Sequence, residues 1–185
     1  NHWRINATAQ DRDSYAGFTA KQMAWLPDFA LYIAIRDDHG GACWSQWPAR
    51  LRDREPSELE KARKNSKEAI DLIYFTQFVF YELWHELKSY ANKHGVLLFG
   101  DMPIFVAYDS ADVWAQRNNF LLDPQGKPNV VAGVPPDYFS DTGQRWGNPL
   151  YDWAAQQANN FDWWLVRFRT QLALFDLIRV DHFRG

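Results

Sequence analysis

The sequence predicts an α/β fold: part of a (β/α)8 TIM barrel, helix-rich and carrying insertions. Three observations predict it. A long apolar helical segment runs directly into a strand-like run, a second helix runs into a second such run, and each run ends in a carboxylate, Asp101 and Asp181. Helix–strand alternation implies a parallel sheet, and α/β barrels gather their reacting groups at the carboxyl ends of strands. A complete barrel takes about 250 residues. A chain of 185 residues that opens Asn1-His2-Trp3 and stops just after an apolar run is therefore read as one partial domain over 1–185, truncated at both ends.

The elements follow in order. Residues 1–22 are polar and irregular, with a helix beginning in 14–21. Residues 28–39 fit both a strand and a helix face; Pro27 before them and Gly40-Gly41 after them are start and stop signals and favour helix. Trp44-Ser45-Gln46-Trp47-Pro48 reads as a Trp-rich loop, and 56–65 as a short polar helix with Ser57 and Glu60 spaced as a capping box. The strongest helix spans 66–94, apolar on several faces and so expected between other layers. Val96-Leu97-Leu98-Phe99 reads as a strand covered on both faces, ending at Gly100-Asp101. A short helix over 110–116 precedes a Pro-, Gly-, Asn- and Asp-rich stretch, 117–150, read as one long loop with a turn at 123–126. An amphipathic helix over 160–173 and a buried strand over 174–180 complete the chain.

Composition narrows the function. Aromatic residues reach 17% of the chain, with ten Trp. Most rings must be core, because each buries a large area. Trp in loops beside Gly, Pro and Asp also suits stacking on sugar faces. A net charge of −3 and no long basic run disfavour nucleic acid and membrane surfaces as partners. Cys43 stands alone, so there is no intrachain disulfide, and a reducing cytoplasmic setting fits. His39, His85 and His94 fall on or at the ends of helices. Neither His-x-His, His-Glu-x-x-His nor Cys-x-x-Cys occurs, and no phosphate-cradling glycine motif, so neither a metal nor a cofactor is expected.

Strand parity places Arg179 and Asp181 on one face. The cation favours the ionised form of a carboxylate beside it, and an ionised carboxylate at a strand mouth is what a glycosidic nucleophile requires. A purely structural Arg–Asp pair gives the same pattern, and both readings stand at this point. Asp101, after Gly100, reads on local sequence as a cap on the turn before Pro103. In the long loop, Pro135-Pro136 stiffens the chain. Asp137, Arg145 and Asn148 offer hydrogen bonds, and Tyr138, Phe139 and Trp146 offer stacking faces. Packing on a rim is the alternative. His182 reads as a hydrogen-bond donor beside Asp181.

Three blocks resemble a family. Gly100-Asp101-Met102-Pro103-Ile104-Phe105-Val106, the segment from Val131 to Trp153, and Ile178-Arg179-Val180-Asp181-His182-Phe183-Arg184-Gly185 resemble 4-α-glucanotransferases of the amylomaltase type (glycoside hydrolase family 77), and 44–48 is similar too. The resemblance implies transfer of α-1,4-glucan segments between maltooligosaccharides by retaining double displacement, with Asp181 as nucleophile. It implies that Arg179 and His182 surround the donor glucose and that Asp101 takes the Gly-Asp-Met-Pro position at an earlier strand end. It also implies that Asp137, Tyr138, Phe139, Trp146, Gly147 and Asn148 grip the acceptor side. The general acid/base Glu lies beyond Gly185 in the family, so the chain alone is expected to be inactive. A plain α-glucan hydrolase and a non-catalytic glucan-binding module are the rival readings.

Overall fold

In the computed structural model, residues 6–182 are described. They form a helix-rich α/β structure: helices α1 (Ala9–Lys21), α2 (Leu26–Asp38), α3 (Ala49–Arg52), α4 (Pro56–Asn65) and α5 (Lys67–Lys93), then strand β1 (Phe99–Met102), helix α6 (Ala111–Ala115), strands β2 (Val131–Val134) and β3 (Gln144–Pro149), helices α7 (Trp153–Ala158) and α8 (Asp162–Leu174), and strand β4 (Leu177–Val180). Strands β1 and β4 pair in parallel, with Asp101 opposite Arg179 and Met102 opposite Val180. Strands β2 and β3 pair antiparallel.

Several boundaries move from the sequence expectation, each for a physical reason. Helix α1 starts at Ala9 because a true capping box stands there: Thr8 Oγ1 accepts from the Asp11 backbone N–H at 3.1 Å, and Asp11 Oδ2 accepts from the Thr8 N–H at 2.8 Å. The box expected at Ser57 and Glu60 does not form. Pro56 starts α4 directly, Ser57 donates to Glu55 Oε1, and Glu60 pairs with Lys64. Strand β1 begins only at Phe99, because Leu98 commits its N–H to Asp176 Oδ2 and its carbonyl to the Asp176 and Leu177 N–H groups. That exchange also shortens β4 to Leu177–Val180.

The 117–150 stretch is not one irregular loop but holds the β2–β3 hairpin. The Trp-rich 44–48 segment is a short 3-10 turn whose rings are core: Trp44 is 0% and Trp47 3% exposed. The core gathers Leu31, Tyr32 and Ile35 of α2 with Trp44, Trp47, Trp114, Met102 and Tyr151. Buried indole N–H groups need partners, and these find carbonyls: Trp44 donates to Tyr108, Trp47 to Ala42 and Trp114 to Leu51. Each such ring adds roughly 2–3 kcal/mol of burial.

Neither strand is covered on both faces, and α5 is not enclosed. Met102 and Gly100 face the core, while Phe99, Asp101, Leu177 and Arg179 share an exposed face. Helix α5 buries Phe78 and Tyr81 against Phe18 and Leu26, yet exposes Leu72, Phe80, Leu83 and Leu87. Hydrophobicity signals burial, but among the described residues these faces stand exposed.

Candidate active site

The site grows from the carboxyl end of the parallel pair. Backbone register sets Arg179 directly across from Asp101. The Arg179 fork therefore closes on Asp101, with Nε to Oδ1 at 3.0 Å and Nη2 to Oδ2 at 3.3 Å. The same Nη2 reaches Asp181 Oδ2 at 3.4 Å. The pairing expected between Arg179 and Asp181 is thus shared, and its better half goes to Asp101. Asp101 lies within β1 and caps no turn. Its hydrogen bonds, with the nearby charges of Asp101 and Asp181, push the already high pKa of Arg179 further up, so the cation is permanent. All three side chains are more than half exposed. Gly100 earns its place by core packing: a Cβ there would lie 2.4 Å from the Phe175 ring.

His182 follows Asp181 with φ at +49°, a left-handed backbone uncommon for a non-glycine residue. Its backbone N–H donates to Asp181 Oδ1 at 3.0 Å, and its Nε2 stands 3.8 Å from Oδ2. The donor role expected of His182 is met by the main chain. Its ring lies 4.9 Å from the Trp146 ring, which joins the end of β4 to the hairpin. Phe183, Arg184 and Gly185 of the same block lie outside the described residues.

The hairpin is seated on the loop after β1. Asn148 Nδ2 donates to the Val106 carbonyl at 2.8 Å, and Trp146 packs edge-on against Phe105. Tyr151 donates to the Ile104 carbonyl at 2.7 Å. At the tip, Asp137 Oδ1 accepts from the N–H groups of Phe139 and Ser140, an Asx turn that presents Tyr138 and Phe139, 97% and 87% exposed. Gly147 holds φ at +81° within β3. The structure therefore brings together Asp101, Arg179, Asp181, His182 and Trp146. It uses Asn148 as a strut, and sets Asp137, Tyr138 and Phe139 on the outer turn. A cavity of about 400 Å3, lined by Phe105, Val134, Trp146 and His182 among others, opens between hairpin and strand end. Phe105 and Val106 were not singled out from sequence, although their Met-Pro-Ile-Phe-Val block was visible. Among the described residues no three His, Cys, Asp or Glu side chains stand together as a metal site, and no helix is long and apolar enough to cross a membrane.

This is a helix-rich α/β protein with an arginine and two aspartates at the mouth of a parallel pair and an aromatic hairpin beside it. The architecture is similar to that of the amylomaltase from Streptococcus agalactiae in complex with acarbose: the TM-score is 0.90 at 38% identity, over 96% of this chain and 36% of that one. Amylomaltase from Corynebacterium glutamicum shares the fold at a TM-score of 0.72 and 19% identity, over 95% of this chain and 22% of that one. The chain belongs to the 4-alpha-glucanotransferase family, glycoside hydrolase family 77, whose sequence model matches residues 2–185. It is 48% identical over 183 residues to the 4-alpha-glucanotransferase of Thermus thermophilus, covering 99% of this chain and 37% of that protein. It is 46% identical over 184 residues to that of Synechocystis sp., covering 99% and 36%. The chain thus spans little more than a third of the length of these relatives.

Proposed function

We propose that this chain is the nucleophile-bearing part of a 4-α-glucanotransferase acting on maltooligosaccharides and other α-1,4-glucans in the cytoplasm. The observation that carries the proposal is Asp181, placed at the end of a parallel strand beside a permanent cation and a second carboxylate. In this reading 1–185 is one partial barrel domain. Strands β1 and β4 are neighbouring barrel staves, and the exposed Phe99, Asp101, Leu177 and Arg179 face the barrel interior, which further strands complete.

The chemistry runs as follows. A carboxylate oxygen of Asp181 attacks the anomeric carbon of the donor sugar. The C1–O bond to the leaving chain breaks, and that oxygen takes a proton from a general acid. A covalent glycosyl-Asp intermediate results. The 4-hydroxyl of an acceptor sugar then attacks the same carbon, gives its proton to the same group, now a base, and frees Asp181. Retaining chemistry sets the two carboxyl groups about 5–5.5 Å apart. The family resemblance puts the acid/base Glu beyond Gly185, so the chain alone is inactive.

Arg179 and His182 hold the donor glucose, with Asp101 keeping the Arg179 fork in plane. Tyr138 and Phe139, held out by the Asp137 turn, and Trp146 supply stacking faces for the acceptor; Gly147 and Asn148 shape the strand that carries them. A dry, aromatic acceptor site lets a sugar hydroxyl reach the intermediate before water does.

The test uses maltotriose and the complete enzyme. Glucose together with chains longer than maltotriose is the expected product set, and Asp181→Asn reduces both to background. Shorter products alone identify a hydrolase, and an active Asp181→Asn removes the nucleophile assignment. Turnover by the purified 185-residue chain would overturn the proposal that its acid/base lies elsewhere.

A further inference from the structure

Away from Asp181, a groove of about 290 Å3 opens between α2, α6 and α8. That volume is near the lower end for small-molecule sites, so the occupant is small. Three rings line the groove: Trp25 just before α2, Phe29 of α2, and Trp163 of α8. Asp28, Asp112 and Gln171 stand among them.

The two carboxylates are already fixed. Asp28 Oδ1 accepts from Arg54 Nη2 at 2.7 Å, and Asp112 Oδ1 accepts from Trp163 Nε1 at 3.1 Å. An ionised carboxylate accepts up to about four hydrogen bonds, so each retains capacity toward the groove. The groove's one cationic side chain, Arg167, is spent on the carbonyls of Pro103 and Ile104 and on the Tyr151 hydroxyl. Aromatic faces with pre-set acceptors and no unspent cation reject a phosphate or a carboxylate ligand. They match a neutral ligand with apolar C–H faces and outward hydroxyl donors.

We propose that this groove is a second carbohydrate site, which holds one or two glucose units of an α-glucan outside the reaction centre. The choice of glucan among neutral sugars rests on the glucanotransferase reading. The groove also adjoins the hairpin seat: Val106 lines it, and the Val106 carbonyl accepts the Asn148 amide. A long glucan held here is retained near the acceptor face between turnovers.

The experiment titrates maltotriose into the complete enzyme carrying Asp181→Asn, by calorimetry, with a crystal soak to place the sugar. Two sites are expected, one of them in the groove. Adding Asp112→Asn with Gln171→Ala weakens that site about tenfold or more and leaves the other unchanged, since a hydrogen bond to a charged acceptor is worth about that factor. In the otherwise unmodified enzyme the same pair leaves kcat/KM on maltotriose unchanged and lowers adsorption to insoluble starch. Because Asp112 also holds Trp163, Gln171→Ala alone is run beside it, with melting temperature as the check on folding. A single site that the pair does not touch, or a groove filled by another segment of the enzyme, overturns the proposal. If that happens while the enzyme still turns over maltotriose, only this inference fails. Sugar in the groove of an enzyme without turnover supports the site and removes the activity.

Discussion

Replacing Gly143 by Ala tests whether the hairpin geometry is dictated by the backbone. Gly143 sits at φ +74°, and an added Cβ would stand 2.5 Å from the Val134 carbonyl oxygen and 3.0 Å from Pro135 C and Pro136 N. All three are main-chain atoms, so no flexible side chain can yield. The left-handed backbone alone costs an Ala about 1–2 kcal/mol. Overpacking adds about 1–3 kcal/mol. Gly147 provides the control: its φ is +81°, but nothing lies within 4 Å of an added Cβ, so Gly147→Ala bears only the first cost. The hairpin is exposed at its tip and tied down at few points, so the penalty appears as local opening more than as global unfolding. Each 1.4 kcal/mol is about a factor of ten in that opening. Hydrogen exchange over residues 131–149 should therefore accelerate roughly tenfold in Gly147→Ala, and by at least a further factor of about ten in Gly143→Ala. Amides of α2 and α5 stay protected in both. Equal acceleration in the two variants would refute the steric argument, and acceleration spread over the whole chain would refute the local one.

The remaining predictions bear on the site and on its supports. In the complete enzyme, Trp146→Ala removes a ring packed on Phe105 and His182, and the ratio of hydrolysis to transfer on maltotriose should rise; an unchanged ratio counts against shielding. Burial, the largest cause, pushes the buried Tyr151 hydroxyl from 10.0 up to about 12. A raised pKa gives stability that is complete below pH 10.0 and is lost as pH climbs to about 12, so Tyr151→Phe should lose less stability over that interval than the parent, measured by urea melts. At neutral pH the same variant should cost about 1 kcal/mol for its lost hydrogen bond to Ile104. The Leu98 N–H, followed by the Asn92 amide, holds the Asp176 carboxyl below its ordinary 3.8. That stability is present above pH 3.8 and fades as acid protonates the folded form, so the melting-temperature gap between the parent and Asp176→Asn should close on acidification. A gap that is constant with pH would deny the carboxylate its role.

Local signals made most helices legible. Pro27 with Gly40-Gly41 correctly decided α2 as a helix, and Ser66, Lys93 and Gly95 bracketed α5 to within a residue or two. The parallel pair followed from helix–strand alternation. Non-local pairing was not legible. The hairpin was missed because β2 is four residues long with a Gly inside, while β3 mixes Arg, Trp, Gly and Pro, a composition that otherwise marks loops. The fork of Arg179 was assigned to Asp181 because parity within one strand can be read from sequence, whereas register across two strands cannot. Trp44 and Trp47, read from sequence as part of a Trp-rich loop, are buried, a depth that local sequence does not encode. Tyr138 and Phe139, read as stacking faces with rim packing as the alternative, stand in solvent.

The Arg179–Asp101 contact joins residues 78 positions apart in the chain. Closing a loop of that size costs roughly 4 kcal/mol of chain entropy before any contact repays it. The short antiparallel hairpin bears far less of that burden, and α5 forms from neighbours alone. Topology of this kind delays folding, so the parallel pair is expected to close after the helices and the hairpin have formed. Until it does, Arg179 has no Asp101 to hold its fork, and the hairpin has no strand end to cover. A refolding chain therefore gains helical signal well before Asp101, Arg179 and Asp181 are assembled, and any variant that weakens the β1–β4 register is felt first as slow maturation of that cluster.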